Sequence, residues 1–300
     1  MSDFNNADRY TLAKRAVADS FSAAADSYDA HAALQVEVGT RLLERLDFVK
    51  NTPTRVVDIG CGTGVITRAL QQRYKNAQVI GLDLAHGMAT HADKKRRWLA
   101  KERYICADME KLPLATHSVD MIVSNLALQW LDDLTAVFTE FQRVLRPDGV
   151  VLFASFGPDT LFEMRQAWQA VDDRVHVNRF MDMHDVGDAM VRARLADPVM
   201  DCEKIVLTYR DVKTLMRELK AIGAHNVNAG RMHSLTAPNH LKKMMAEYER
   251  FRRVDGFLPA TYEIVYGNAW GSELFAQPTA HSNEFAMPLS QIPIKRKTTE

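Results

Sequence analysis

Three glycines follow an acidic residue in the segment from Val56 to Gly64, which reads Val-Val-Asp-Ile-Gly-Cys-Gly-Thr-Gly. Apart from Asp58, the run before the first glycine is apolar in the manner of a buried parallel strand. Gly60, Gly62 and Gly64 allow the backbone to pass close to a ligand before a helix begins. A strand carboxylate followed by a glycine turn indicates a nucleoside-binding loop.

The charge of Asp58 distinguishes between two classes of nucleoside ligand. A pyrophosphate cofactor binds at the helix N-terminus, where a nearby carboxylate repels it. The same carboxylate is well placed to hold, directly or through water, the ammonium group of S-adenosyl-L-methionine. The glycine spacing is also G-x-G-x-G, not the G-x-G-x-x-G of dinucleotide-binding loops. The sequence therefore predicts S-adenosylmethionine as co-substrate and makes a methyltransferase the leading hypothesis.

Two further acidic residues follow the next two predicted strands. Asp83 ends the strand 78–83 and lies 19 residues after Gly64, where the analogous nucleotide fold places an acid on the ribose hydroxyls. Asp108 follows the strand 103–107, so its side chain or the next backbone amide could meet the adenine amino edge. For each acid, a structural role as a helix cap stays open.

Aromatic residues near the amino terminus are candidates for closing the cofactor site. Phe21 and Tyr28 could cover the sulfonium, because an aromatic face attracts a cation. Their helical spacing fits a core stripe equally well. Trp130 could wall the adenine, although helix packing explains it better. The predicted cofactor-binding residues are Asp58, Gly60, Gly62, Gly64, Asp83, Leu84, Asp108, Met109, Asn125, Phe21 and Tyr28.

The length, charge and cysteine content of the chain limit the classes of protein to which it can belong. With 300 residues, 47% hydrophobic and 25% charged, the chain can bury the core of an ordinary soluble globular protein. Basic and acidic residues balance at 38 each, so no polybasic signal points to nucleic acid. Three distant cysteines without C-x-x-C spacing argue against a zinc site or disulfides, and favour the cytoplasm. We expect neither secretion nor a membrane span.

Strands and helices alternate through the middle of the chain. Strands are predicted at 55–60, 78–83, 103–107, 119–125 and 150–156, with helices at about 64–74, 86–99 and 134–145. This order predicts an α/β fold with a Rossmann-like, doubly wound and mostly parallel sheet. Two late strands, 205–209 and 261–266, would complete a sheet of seven strands.

The chain divides into four predicted segments. Residues 1–46 form a helical cap, and residues 47–156 form the cofactor-binding core. Residues 157–270 contain the last strands and two helical insertions, 157–202 and 211–258, which we expect to select the substrate. Residues 271–300, rich in proline and polar groups, are predicted to be a poorly ordered tail.

Several motifs beyond the cofactor loop resemble the malonyl-[acyl-carrier-protein] O-methyltransferases of biotin synthesis, which belong to the class I S-adenosylmethionine-dependent methyltransferases. The resemblance covers about residues 15–270 and hardly extends to the tail. Its motifs are Phe-Ser-Ala-Ala-Ala-Asp-Ser-Tyr-Asp at 21–29, Ser-Asn-Leu-Ala-Leu-Gln-Trp at 124–130, Gln-Ala-Trp-Gln-Ala-Val-Asp-Asp-Arg at 166–174, Asn-Arg-Phe at 178–180, Leu-Lys-Ala-Ile-Gly-Ala-His-Asn at 219–226 and Gly-Arg at 230–231.

The resemblance implies methyl transfer to the free carboxylate of a malonyl group held as a thioester on an acyl carrier protein. The other product would be S-adenosylhomocysteine, and the methyl ester would enter pimeloyl and biotin synthesis. A carboxylate of pKa about 4 is already ionised at neutral pH, so no general base is required. Alignment of the reacting atoms and removal of water are sufficient, and we expect no catalytic triad.

The substrate and its carrier call for cationic groups. Arg179 and Arg231 are candidate bidentate donors to the malonyl carboxylate, with His176 and Asn178 as weaker alternatives; a surface ion pair fits each arginine equally. The resemblance also implies an acidic carrier and therefore a basic docking surface. The candidate clusters are Lys94 to Arg97, then Lys213 with Arg217 and Lys220, then Lys242 with Lys243, and Arg250 with Arg252 and Arg253, and we favour the later ones.

Three other functions stay open at this point. Mitochondrial complex I assembly hydroxylases share the cofactor core and parts of the insertion, and would hydroxylate a protein arginine. A small-molecule or quinone-ring methyltransferase would share the loop but not the motifs at 166–180 and 219–231. A non-catalytic assembly factor could bind S-adenosylmethionine through the same glycines. The oligomeric state is not indicated.

Overall fold

The computed structural model describes residues 13–224 and 238–273, and within them seven strands form a single sheet. The strands are β1 (Arg55–Ile59), β2 (Gln78–Asp83), β3 (Arg103–Cys106), β4 (Val119–Asn125), β5 (Leu145–Phe156), β6 (Ala196–Tyr209) and β7 (Leu258–Trp270). Their spatial order is β3-β2-β1-β4-β5-β7-β6, and among these seven strands β7 alone runs opposite to the other six. The predicted seven-stranded, mostly parallel sheet is confirmed.

Helices cover both faces of this sheet. They are α1 (Lys14–Ala24), α2 (Ala33–Arg45), α3 (Val65–Arg73), α4 (His86–Lys94), α5 (Leu134–Val144), α6 (Phe162–Gln169), α7 (Met183–Arg192), α8 (Val212–Ala221) and α9 (Pro238–Tyr248). Because alternate strand residues face opposite sides, one buried cluster packs under α2, α3, α6, α8 and α9 and a second under α5 and α7. In the described ranges no helix has both the length and the apolarity needed to span a bilayer.

The strand order places the functional crevice. The chain winds outward from β1 through β2 to β3, and then returns to β4 on the other side of β1. Side chains at the carboxyl ends of β1 and β4 therefore border a crevice that no connecting helix fills. The residues predicted to bind the cofactor lie at or just after the carboxyl ends of β1, β2, β3 and β4, at this same edge, except for Phe21 and Tyr28, which belong to the cap.

The cap helices α1 and α2 are fastened to the sheet at opposite sides of the crevice. In α1, the ammonium of Lys14 pairs with Asp108 and Glu110, and the Ser22 hydroxyl accepts the Gly87 backbone N–H at 3.2 Å. In α2, the Arg41 guanidinium lies 2.5 Å from the Glu203 carboxylate on β6. The cap therefore closes over the crevice from the β3 side to the β6 side.

The last two strands are longer than the predicted strands 205–209 and 261–266, and the insertion predicted at 157–202 already ends where β6 begins at Ala196. β6 lies at the sheet edge and exposes alternate residues, including Asp201 and Lys204, so most of it lacks an apolar run. It is nevertheless paired with β7 almost throughout, from Ala196 to Tyr209. Backbone pairing, rather than hydrophobicity, extends this strand.

Two predicted boundaries are also wrong. The helix predicted to extend to residue 99 ends at Lys94, because the residues that follow have no neighbouring element to pack against. Trp98 is 94% exposed and Leu99 is 85% exposed. The strand predicted from 150 begins at Leu145, which pairs with Val119 before a register shift. Residues 146–149 form the irregular part of that strand.

Candidate active site

The glycine loop connects β1 to α3 in a conformation that side chains would disturb. Gly60, Gly62 and Gly64 have φ of 69°, 52° and 80°, which disfavours residues with a Cβ. A Cβ at position 60 would lie 2.2 Å from the Ala127 Cβ, and one at position 64 would lie 2.5 Å from the Tyr104 hydroxyl. The loop is therefore held close to the neighbouring strands, with its backbone open to the crevice.

Asp83 ties the loop to the end of β2. Its carboxylate accepts the backbone N–H groups of Gly62 and Ala85, each at 2.8 Å. Burial raises the pKa of this carboxyl group, while the two N–H donors act in the opposite direction. The side chain lines a cavity of about 80 Å³, here called the Asp83 cavity, together with Leu84, Asp108 and Met109.

The Asp108 carboxylate already makes an ion pair and a hydrogen bond within the protein. One of its oxygens lies 2.8 Å from the Lys14 ammonium, and the other accepts the Glu110 backbone N–H at 2.9 Å. Met109 lines the same cavity, and of the two predicted adenine contacts only Asp108 has its side chain in these ion-pair and hydrogen-bond contacts. The pairing with Lys14 also attaches α1 to the rim of this cavity.

Asp58 lies at the floor of a second, adjoining cavity of about 50 Å³, here called the Asp58 cavity. The side chain is only 1% exposed and accepts a hydrogen bond from the Thr67 hydroxyl at 2.6 Å. Burial raises the pKa of Asp58 to about 7, and the Thr67 hydrogen bond opposes that shift. A cationic group brought into this cavity would favour the ionised carboxylate.

Asn125 stands between these two cavities and lines both. Its Nδ2 donates to the Gln35 carbonyl at 2.9 Å, which fixes the direction of the side-chain amide. Its Oδ1 is buried and has no hydrogen-bond partner among the described residues. A buried acceptor beside the Asp58 carboxylate suits an ammonium group.

Three aromatic side chains mark the place where the cofactor cavities meet a third cavity. Tyr28 lines all three, while Phe21 and Trp130 line the Asp83 cavity and the third one. The Phe21 and Trp130 rings are 5.2 Å apart, edge to face, and the Phe21 and Tyr28 rings are 6.5 Å apart. The junction of the cavities, where the sulfonium is predicted to lie, is therefore lined by aromatic side chains.

The third cavity, here called the His176 cavity, has a volume of about 130 Å³ and largely apolar walls. The cap contributes His31 and Leu34, and the α8 helix contributes Glu218 and Leu219. Among the described residues that line it, none is a lysine or an arginine. An anion in this cavity would therefore adjoin the two acid-lined cavities, with no described lysine or arginine side chain in the cavity wall.

The four predicted carboxylate-binding residues lie in different places. His176 lines the cavity, stacks on the Trp168 ring at 3.7 Å, and is hydrogen-bonded to Asp172 at 2.7 Å. Asn178 lines it too and is 9% exposed. Arg179 is exposed and instead lines a neighbouring groove of about 620 Å³. Arg231 lies outside the described residues.

Several lining residues were missed at the sequence level. Tyr209 and Tyr262 reach the His176 cavity from β6 and β7, and Glu218 reaches it from α8. Each is a single polar residue in an amphipathic strand or helix, so no motif in the neighbouring sequence indicates that it lines a cavity. Gln129, also on this cavity, lies within the motif at 124–130 that the resemblance had marked, so a signal existed for it.

The basic clusters differ in how far they are paired. Lys95 pairs with Asp29 and Arg96 with Asp93. In the later cluster, ion pairs join Arg250 to Glu247, Arg252 to Glu249 and Arg253 to Asp255. On α8, Lys213, Arg217 and Lys220 are exposed and have no ion pair within the described ranges. The opposite face of α8 lines the His176 cavity.

Comparisons with known proteins identify relatives of this chain. A family model described as "Methyltransferase domain" matches residues 57–153. Malonyl-[acyl-carrier protein] O-methyltransferases are 52% identical in Laribacter hongkongensis (86% of this chain, 89% of the relative), 50% in Methylovorus sp. (88% and 91%) and 49% in Gallionella capsiferriformans (88% and 92%).

Solved structures share the fold. The YcgJ protein of Bacillus subtilis superposes with a TM-score of 0.56 at 16% identity, covering 77% of this chain and 98% of that one. A protein from Bacillus halodurans gives 0.55 at 13% identity, covering 78% and 98%. At such identities the likeness concerns the fold alone.

Proposed function

The chain belongs to the malonyl-[acyl-carrier protein] O-methyltransferase family, and on that premise we propose that it methylates the free carboxylate of malonyl-acyl carrier protein. The methyl donor is S-adenosyl-L-methionine. The observation that carries the proposal is the meeting of two acid-lined cavities with an apolar third cavity at Tyr28. The names of the relatives favour this reaction over arginine hydroxylation and over methylation of a small molecule.

The residues of the two acid-lined cavities fit S-adenosylmethionine. Asp83 is suited to the ribose hydroxyls, because its carboxylate is fixed by Gly62 and Ala85 and lines the Asp83 cavity. The Asp58 carboxylate is suited to the methionine ammonium, and so is the Asn125 Oδ1, which has no hydrogen-bond partner among the described residues. When bound, the co-substrate supplies an electrophilic methyl group on a positively charged sulfur.

The reaction requires little acid–base chemistry from the chain. A carboxylate oxygen forms the new bond to the methyl carbon as the carbon–sulfur bond breaks, and the electron pair of that bond stays on sulfur. No proton has to be removed, because the carboxylate is ionised at neutral pH. The apolar walls of the His176 cavity exclude water, which strengthens the attraction between the carboxylate and the sulfonium.

Two side chains remain candidates for orienting the substrate carboxylate. His176 and Asn178 both line the His176 cavity, and the imidazole is held by Trp168 and Asp172. Their proposed role is alignment of one carboxylate oxygen with the methyl group, which contributes to rate through geometry. Arg179 and Arg231 stay predictions, the first on the neighbouring groove and the second outside the described residues.

The proposed partner is the carrier protein, docked against basic side chains of α8. Lys213, Arg217 and Lys220 support this site, since they are exposed on a helix whose other face lines the His176 cavity. The proposed setting is the cytoplasm, which is supported by three free cysteines, Cys61, Cys106 and Cys202.

The proposal is tested by incubating malonyl-acyl carrier protein with the enzyme and S-adenosylmethionine. Intact-mass spectrometry is expected to find one added methyl on the malonyl group, with an equal amount of S-adenosylhomocysteine. Acetyl-acyl carrier protein is the control, since it lacks the free carboxylate and should stay unmodified. An unmodified malonyl carrier, or an added oxygen on a protein arginine without S-adenosylhomocysteine, would refute the proposal.

A further inference from the structure

Gln129 presents a buried hydrogen-bond acceptor whose direction is fixed. It lies in the short 3-10 helix Leu128–Trp130 that follows β4, and its Nε2 lies 2.7 Å from the Leu126 carbonyl oxygen. Since a carbonyl oxygen only accepts, the nitrogen end of the amide must be the end that points to it. The Oε1 atom is therefore the free end, and it is buried without a hydrogen-bond partner in the described part of the chain.

The position of this acceptor relates it to the reaction. Gln129 lines the His176 cavity, and its neighbours Leu126 and Trp130 line both that cavity and the Asp83 cavity. Gln129 also borders the groove that contains Arg179. Gln129 thus stands on the substrate side of the junction at Tyr28, and a bound ligand that reaches its Oε1 with a hydrogen-bond donor would satisfy it.

The malonyl group itself cannot supply that donor, because the carboxylate and the thioester carbonyl only accept hydrogen bonds. The first donor in a carrier-bound thioester is an amide N–H of the pantetheine arm, two carbons beyond the sulfur. We propose that Gln129 Oε1 accepts a hydrogen bond from this first pantetheine amide; the inference rests on the proposed function. An acceptor at this point also repels the carboxylate, so the malonyl end is directed toward Tyr28 and the sulfonium.

Two small thioesters test the inference. One is malonyl-N-acetylcysteamine, which contains the amide, and the other is the malonyl thioester with a 4-oxopentyl arm, in which a methylene replaces the N–H. The wild-type enzyme is expected to show a kcat/KM about tenfold higher for the amide compound, the difference that one hydrogen bond to a buried neutral group makes. In Gln129→Met the two compounds should become equal, through loss of activity on the amide compound.

Gln71→Met provides a matched control. Gln71 also has a buried Oε1 without a partner in the ranges that the structure describes, and its Nε2 donates to the Tyr74 and Ala77 carbonyls, each at 3.2 Å. It lines none of the cavities named above. The same chemical change at this site should leave the tenfold preference intact, which separates recognition of the amide from a general effect of losing a buried glutamine.

The same ratio can be measured by inhibition. If the small thioesters turn over slowly, their inhibition constants against methylation of malonyl-acyl carrier protein give the preference instead. Three results would overturn the inference: equal constants for the two compounds in the wild type, no inhibition by either compound, or a preference for the amide compound that survives in Gln129→Met. Failure of the proposed function would look different, because malonyl-acyl carrier protein itself would then remain unmethylated.

Discussion

The cofactor side and the substrate side of the crevice are built on different principles. The Asp83 and Asp58 cavities contain carboxylates held by named hydrogen bonds, near the carboxyl ends of β1 and β2. The His176 cavity draws its walls from the cap, α6, α8, β6 and β7, and its described lining has no lysine or arginine. A site for a cation is acidic here, whereas the adjoining site for an anion is not basic.

The difference has a physical reason. The reacting carboxylate and sulfonium carry opposite charges that cancel as the methyl group moves, so each serves as the counter-charge of the other. A strong cationic clamp on the carboxylate would stabilise the reactants more than the transition state, and would therefore slow the step. An apolar substrate cavity beside an acidic cofactor site avoids this penalty.

The largest expected effect is on the cofactor side, from Asp83→Ala. The variant would lose the two charge-assisted hydrogen bonds proposed between Asp83 and the ribose hydroxyls, worth about 1.5–3 kcal/mol each. Binding of S-adenosylmethionine should therefore weaken by roughly 100-fold or more. Titration calorimetry measures this directly. Asp47→Ala is the matched control, because Asp47 pairs with Arg73 on the surface and should leave the affinity unchanged. An undiminished affinity in Asp83→Ala would remove this residue from the site.

A second prediction concerns pH and Asp58. For a pKa of about 7, the ionised fraction rises about tenfold between pH 6 and 8, and S-adenosylmethionine affinity should rise with it. Asp58→Asn should bind more weakly and lose this pH dependence. Calorimetry at the two pH values provides the measurement, and an equally steep profile in the variant would contradict the assignment.

As pH rises, the contribution of Asp58 to the stability of the cofactor-free protein should fall, whereas the affinity for S-adenosylmethionine should rise. Burial raises the pKa of Asp58 above its unfolded value of 3.8, so the folded state binds this proton more tightly. The stabilising contribution is present below about pH 4 and is lost as pH rises through about 7. The unfolding temperature Tm of the wild type and of Asp58→Asn, measured between about pH 4 and 7, should therefore change with pH at different slopes.

A smaller effect is expected where the carrier docks. Reversing two charges in the double variant Arg217→Glu, Lys220→Glu should raise the KM for malonyl-acyl carrier protein by roughly fivefold to tenfold, with S-adenosylmethionine affinity unchanged. Lys94→Glu with Arg97→Glu makes the same change in net charge on a cluster distant in sequence from α8. If both double variants raise KM equally, net charge rather than α8 determines docking.

The smallest effect is expected for Arg179→Ala. Its side chain is exposed and lines the neighbouring groove rather than the His176 cavity. We expect less than about a twofold change in kcat, because exposed charges far from the reacting atoms contribute little. A drop in kcat of more than about tenfold would show that Arg179 reaches the carboxylate during turnover, and would make the substrate side basic after all.

Much of the cofactor side could be predicted from local sequence. The glycines at 60 and 64 and the acid at 83 act through backbone conformation and strand ends, which short segments encode, and the structure brings them to one edge. The end of α4 and the extent of β6 could not be predicted in this way. Both depend on what a segment packs against, because the residues after Lys94 have no partner surface and β6 is defined by pairing with β7.

The sequence by itself determined the nucleoside loop, the order of strands and the family motifs, since each depends on residues close together in the chain. Only the tertiary structure decided which side chains line the His176 cavity, the proposed substrate site. Tyr28, Gln129, His176, Glu218 and Tyr262 meet at one cavity although most of them are far apart in sequence. Such a cavity has no local code, because it forms only when the cap, the insertions and the last strands pack around the end of the sheet.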